Sequence, residues 1–404
     1  MPKDSAAPSL HRAVPFILAG CTAVSVLSTD VITPSVPDYP DVLGGDVRLA
    51  QMTVSVNLLA YALAQLIHGP VADAIGRKRI LLMAFGLFTA ASLLCAFAGT
   101  IHWLLGGRFL QGLFSSVPSV VIVLLIRELY GGERALGVMA LYGMALGIAP
   151  AMGPLLGGYL HVWFGWQAGY VFVALLAITM SALVWKFVPE SLETPHKLHL
   201  GQALGSYARL LATPDFLRTG LAVSLAFAAY FAYVTTAPVV MIDLLGLKTQ
   251  HYGLTNLVII GCFILGNLAA SQVKDKIPID RLLRIAMAVM LVAMVALVMQ
   301  FLVLGPMIWT VLMCMGVYAM GLAFVLAAGP IIVLNHVADQ PQGSASAMLG
   351  SMQLGVSSLG GYVSAKLYNG TALPMSGVML ALVAGACLLM VLQLKAETAR
   401  AARA

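Results

Sequence analysis

From Ile285 to Leu304 the chain runs twenty residues without a charged side chain and without alternation of apolar and polar positions. Wound as a helix, a run of that length matches the hydrocarbon thickness of a bilayer. Eleven further runs of the same kind lie at 14–33, 50–70, 80–98, 102–126, 136–160, 168–188, 219–242, 253–273, 307–334, 344–365 and 374–394. A transmembrane barrel needs strands of about ten residues that alternate between lipid and lumen, a pattern these runs lack. Composition agrees: of 404 residues 60% are hydrophobic and 9% charged, against about 25% charged in a soluble domain. Soluble enzymes, nucleic-acid binders and disulfide-stapled secreted proteins are poor readings of such a chain. The expected fold class is an all-α polytopic membrane protein of twelve transmembrane helices.

The net charge of +6 reports topology rather than a nucleic-acid partner. With a cytoplasmic N-terminus, eighteen of the 22 Lys and Arg fall in inner segments and only Arg48, Lys248 and Lys366 in outer ones, leaving Arg108 inside a span. Both termini are therefore expected on the cytoplasmic side. The first apolar run lacks a cleavage pattern and reads as a retained helix. Cys21, Cys95, Cys262, Cys314 and Cys387 all sit in apolar runs and read as free thiols.

The longest polar stretch, 189–218, divides the chain into an N-terminal half (1–188) and a C-terminal half (219–404) of six helices each. At an offset of 202 residues, Val71, Asp73, Arg79 and Leu81 fall on Val273, Asp275, Arg281 and Leu283, as two pseudo-symmetric halves require.

Apart from Lys186 at the inner end of its run, charge inside the spans is confined to Asp30 and Arg108. An ionised group in hydrocarbon costs at least about 2.5–3.5 kcal/mol, so such residues normally face a wet cavity or a partner. The alternatives are a boundary position for Asp30, four residues before Pro34, and snorkelling of Arg108 to the outer interface. A surface for varied apolar molecules needs aromatic and Met side chains with a few polar groups. Candidates are Asn57, Tyr61 and Gln65 on the second span, Tyr142 and Met144 on the fifth, Phe227, Tyr230 and Tyr233 on the seventh, and Met352 and Gln353 on the eleventh. No G-x-x-x-x-G-K-[ST] loop is present for nucleotide, and His196 and His199 on the central stretch form no complete enzyme or metal site. Neither an enzyme nor a cofactor is expected.

The loop Gly69-Pro-Val-Ala-Asp73-Ala-Ile-Gly76-Arg77-Lys78-Arg79 resembles the second-to-third-loop signature of the major facilitator superfamily. Arg108-Phe-Leu-Gln111-Gly112 resembles that superfamily's fourth-helix motif, associated in its proton-coupled members with proton transfer. The run from Gly143 to Gly158, with Gly143, Gly147, Pro150, Gly153, Pro154 and Gly157, resembles the fifth-helix antiporter motif of exporters. Small residues there permit close helix approach, and the prolines are expected to bend the helix. Ser28-Thr29-Asp30-Val31-Ile32-Thr33-Pro34 is similar to the first helix of bicyclomycin/chloramphenicol-type multidrug:proton antiporters.

These resemblances imply the major facilitator fold, an inner-membrane location and proton-driven export of drugs or other amphipathic small molecules, with export of a metabolite such as a siderophore or sugar as the alternative. They imply Asp30 as the proton-coupling acid, Arg108 and Gln111 as its electrostatic partners, and Gly69, Asp73, Gly76, Arg77 and Arg79 as a gating loop that latches the two halves. The proton gradient is the energy source, the partners are substrate, protons and lipid, and a monomer is expected. One departure stands out: where some relatives carry a second acid on the first helix, this chain has Thr22. Glu128, beside Arg127, reads as a solvated ion pair.

Overall fold

The computed structural model describes residues 11–130, 132–192, 200–273, 276–305 and 307–401, so Asp275 of the internal repeat and His196 and His199 lie outside the described residues. Among them every regular element is helical. The helices of the N-terminal half are α1 (Val14–Asp30), α2 (Val47–Ile75), α3 (Arg77–Ala96), α4 (Ile101–Leu129), α5 (Gly132–Phe164) and α6 (Gln167–Phe187). A linker helix (Leu200–Leu211) leads to α7 (Pro214–Pro238), α8 (Thr249–Val273), α9 (Ile279–Val303), α10 (Ile308–Asn335), α11 (Gln342–Leu367) and α12 (Leu373–Ala401). Eleven of the twelve are long and apolar enough to span a bilayer; α11, punctuated by Ser and Gly, is the exception and packs between α2 and α7. Trp185, Leu302 and Trp309 are among many large apolar side chains left exposed, as a surface solvated by lipid requires.

Several boundaries depart from the apolar runs. The first helix ends at Asp30, and Thr33–Asp38 forms a 3-10 turn that leads into a short helix, Tyr39–Leu43. Prolines 34, 37 and 40 explain the change, since each withdraws a backbone donor from the helical ladder. The fourth span is two helices, Ile101–Ser115 and Val117–Leu129, broken at Ser116 just before Pro118. The central linker is shorter than its polarity suggests: Pro214 already occupies the first turn of α7.

The linker helix is tied to the N-terminal half by one hydrogen bond with a local cause. Pro70 of α2 has no N–H, which leaves the carbonyl four residues back without its helical donor. That carbonyl is Leu66, and the Tyr207 hydroxyl of the linker helix donates to it at 3.0 Å.

Each half has its own apolar core. Leu18, Leu81, Phe85, Val121 and Val173 build one, and Phe216, Met290, Leu297, Met315 and Met379 the other. The halves meet along α2 with α11 and α5 with α8. Ser351 and Ser358 of α11 donate to the Ala62 and Ser55 carbonyls of α2 at 2.8 and 2.7 Å. On the face opposite the one where α1 begins, Arg48 donates to the Tyr368 carbonyl at 3.0 Å. There too the backbone of Gly253 lies against Leu155, and that of Gly158 against Thr249. The molecule is closed on that face.

Candidate functional site

Arg108 is fully buried, so the snorkelling alternative is excluded. Its Nη1 donates to the Ser28 carbonyl at 3.0 Å and to the Gln111 side-chain oxygen, and its Nε donates to the Thr53 carbonyl at 3.3 Å. Ser28 lies in the last turn of α1, where carbonyls have lost their helical donors and carry the negative end of the helix dipole. The guanidinium therefore caps that turn with a charge of the right sign. Beside it, Thr33 closes the Asp30 carbonyl through its hydroxyl at 2.8 Å. Gln111 in turn donates to the Ser92 hydroxyl of α3 at 2.8 Å.

Asp30 is placed by this arrangement at the exact point where α1 gives way to the turn. It is partly accessible and forms no ion pair with Arg108. The two interact through space, and Asp30 also lies in electrostatic range of Tyr230 on α7 and Tyr252 on α8. The carboxyl thus stands where both halves can sense it. Arg108 Nη2 is buried without a protein partner, leaving donor capacity at the same place.

The fifth helix explains how closely α5 packs on α1 here. A Cβ at Gly153 would lie 2.6 Å from that of Asp30, and one at Gly157 would collide with the Val31 carbonyl. By contrast, Gly143 and Gly147 have nothing within 4 Å, so close approach belongs only to the later part of the motif. Pro150 and Pro154 do not interrupt α5, which continues through both.

The predicted cavity residues separate into groups. Asn57 joins α2 to both neighbours, donating to the Arg108 carbonyl at 3.0 Å and accepting from the Thr29 hydroxyl at 3.1 Å. Tyr61 stands near the Ser25 and Ser119 hydroxyls, and Tyr142 near it. Gln65 abuts Gly350 across the α2–α11 seam. Tyr230 and Tyr233 line up with Tyr252, Thr255 and Asn256, three α8 residues that the sequence reading missed. Phe227 packs edge-on to Phe231, and Met352 covers Gly220. Gln353 is partly exposed, its carbonyl taken by Ser357. Met144 is 52% exposed, apart from the buried groups.

At the gating loop, Gly76 has φ +112°, a conformation that favours glycine, and a Cβ there would lie 2.6 Å from Glu190 Oε2. Glu190 uses that space to cap α3, accepting from the backbone N–H groups of Arg77, Lys78 and Arg79 at 2.8–3.3 Å. Arg77 pairs with Asp73 at 2.6 Å and with Glu128 at 3.0 Å. Glu128 is thus the partner of Arg77 rather than of Arg127, and Glu190 belongs to the loop rather than to a bare linker. Gly69 is an ordinary helical residue with open space beside it. All these contacts stay within the N-terminal half, so in this conformation the loop does not latch one half to the other.

The Major Facilitator Superfamily description matches residues 18–361. The chain belongs to that superfamily. A bicyclomycin resistance protein homolog of Haemophilus influenzae is 28% identical over 354 residues, covering 85% of each chain. The multidrug transporter MdfA of Yersinia pestis is 25% identical over 335 residues, 83% of this chain and 82% of that one. The fold is shared with the xylose transporter XylE from E. coli in a partially occluded inward-open conformation (TM-score 0.73, 15% identity, covering 94% of this chain and 96% of that one). It is also shared with a peptide transporter, POT, in complex with sulfate (TM-score 0.77, 13% identity, covering 95% and 94%). The protein is a multi-pass membrane transporter and not an enzyme.

Proposed function

We propose that the protein is a proton-coupled exporter of drugs or other amphipathic small molecules, working by alternating access across the inner membrane. The observation that carries this reading is the position of Asp30. It is a lone acid at the broken end of α1, within the field of a buried arginine and in electrostatic range of Tyr230 and Tyr252 of the other half. A proton on Asp30 removes a charge from the surface on which the halves close, so protonation and substrate compete for one set of cavity walls. The resistance-named relatives support export, and the basic-residue bias supports cytoplasmic termini.

In this reading the closed face is the periplasmic one, and the conformation described accepts substrate from the cytoplasm. Gly153 and Gly157 seat α5 against α1 within the N-terminal half, and Gly158 and Gly253 bring α5 and α8 together in that state. Asp73 and Arg77 latch the cytoplasmic face when the cavity opens outward.

The test is transport in proteoliposomes of imposed pH gradient, with a panel that includes chloramphenicol, ethidium and a neutral sugar. Saturable uptake of an amphipathic compound against its gradient, abolished when the pH gradient is collapsed, supports the reading. Flux that does not saturate, or that ignores the gradient, rejects it.

A further inference from the structure

His68 takes no part in the site above, yet it stands at one end of a seam of hydrogen-bonding groups. Asn57, Tyr61 and His68 lie at positions i, i+4 and i+11 of α2, one stripe of the helix. The stripe faces α1 and α4. Asn57 meets the Arg108 carbonyl and the Thr29 hydroxyl. Tyr61 stands near the hydroxyls of Ser25 and Ser119, which donate to the Ser115 and Ser116 carbonyls. One ring nitrogen of His68, Nδ1, is 2.7 Å from the hydroxyl of Ser116.

Ser116 is the residue at which α4 breaks, and Ser119 stands one turn further along the same helix. Apart from the Asn57 amide, which hydrogen-bonds but does not relay a proton, groups that can both donate and accept a proton thus follow α2 from the Asp30 neighbourhood toward the gating loop, which begins at Gly69.

We propose that His68 is the cytoplasmic station of a proton path along the α1–α2–α4 seam, receiving the proton that leaves Asp30 and handing it to water on the cytoplasmic side. This rests on the proton-coupled reading above. In the transfer each hydroxyl accepts a proton on its oxygen and gives up its own. The imidazole accepts one at Nδ1 and releases one from Nε2, so a single proton moves, Asp30 is left as a carboxylate and no residue of the relay keeps a charge. The neutral ring can do this because one nitrogen accepts while the other donates.

Several ionisable groups on neighbouring elements are otherwise engaged, and Arg127 lies in the last turn of α4. Asp73 and Glu128 hold Arg77, and Arg108 caps α1. Tyr207 donates to Leu66, Arg209 bonds within the linker helix, and Asp215 of α7 pairs with Arg400. Arg218 and Asp243 lie toward the two ends of the seventh span, Lys366 is at the far end of α11, and Asp30 is the proton source. Among the described residues none forms an ion pair with His68.

The experiment compares wild type, His68→Gln, His68→Ala and Asp30→Asn in proteoliposomes with chloramphenicol as the probe. Two rates are read: uptake driven by an imposed pH gradient, and exchange of labelled for unlabelled probe at equal pH, which needs no net proton transfer. The expected result is that His68→Gln, which keeps a hydrogen bond to Ser116, loses gradient-driven uptake about a hundredfold, the low end for a positioned proton-transfer group. Its exchange stays near wild type. Imidazole in the cytoplasmic-side buffer restores His68→Ala but not Asp30→Asn. Wild-type gradient-driven uptake by His68→Gln overturns the relay while leaving proton coupling intact. Loss of both rates together, without imidazole rescue, assigns His68 a structural role and also overturns it. Wild-type uptake that ignores the gradient overturns the antiport reading and this proposal with it.

Discussion

Arg108 closes the end of α1 by donating to the carbonyl of Ser28 at 3.0 Å, so the residue that sets the charge environment of Asp30 also fixes its position. Arg108→Ala removes three hydrogen bonds and strands buried acceptors, each worth about 1–3 kcal/mol when left unpaired. The expected outcome is a lower melting temperature together with loss of coupled transport. Arg108→Lys keeps the charge but cannot reach Ser28, Thr53 and Gln111 at once, and is expected to recover stability more than turnover. Thermal unfolding and transport rates on the same detergent-purified variants check both.

The fifth helix offers an internal control. Gly157→Ala forces a methyl group into the Val31 backbone and is expected to open the closed face, whereas Gly147→Ala meets open space and is expected to be silent or slightly stabilising, by up to about 1 kcal/mol. Distances between spin labels on α5 and α8 at that face, measured for both variants, read the difference.

At the gating loop, Gly76→Ala combines an unfavourable φ with displacement of Glu190, and backbone strain of this kind costs about 1–3 kcal/mol. Glu190→Gln leaves the turn intact but weakens the cap on α3. The first substitution is expected to lower both stability and transport. The second is expected to change mainly transport, through the orientation of Arg77. Melting curves and uptake assays separate the two.

Tyr207→Phe deletes the donor that Pro70 makes necessary, at a cost of about 1 kcal/mol. Pro70→Ala supplies a backbone N–H for the same Leu66 carbonyl, so in the Tyr207→Phe background it is expected to restore the lost stability. A double-mutant cycle on melting temperature shows a coupling well away from zero if the two donors serve one acceptor.

The spans, their number and the two isolated charges were legible because apolar length and buried charge are properties of contiguous sequence. Helix ends were legible only where a breaker stood at the right place: the prolines after Asp30 end α1 before its apolar run does, and Pro118 splits a run that hydropathy reads as continuous. What the sequence hid is which face of each helix meets which neighbour. These helices are apolar all round, so no stripe separates lipid-facing from protein-facing positions, and Met144 and Tyr142 look alike until α5 is packed. Glu190 sits in a polar stretch more than a hundred residues from the loop that it caps, and its role depended on Gly76 leaving room for it. Tyr252 and Asn256 were invisible for a related reason: only the crossing of α8 with α5 brings Tyr252 within electrostatic range of Asp30, with Asn256 beside it. His68, adjoining the loop signature, carried a signal that was there to be seen, an imidazole seven residues beyond Tyr61 on a stripe of polar side chains.

The most direct measurement is gradient-driven accumulation of chloramphenicol by Asp30→Asn in everted membrane vesicles, alongside exchange of the same compound at equal pH. With Asp30 as the coupling acid, the variant exchanges substrate but accumulates none above equilibrium at any imposed gradient. Accumulation by Asp30→Asn to the wild-type level, collapsed by the same protonophore, would contradict that assignment and move the coupling site elsewhere in the chain.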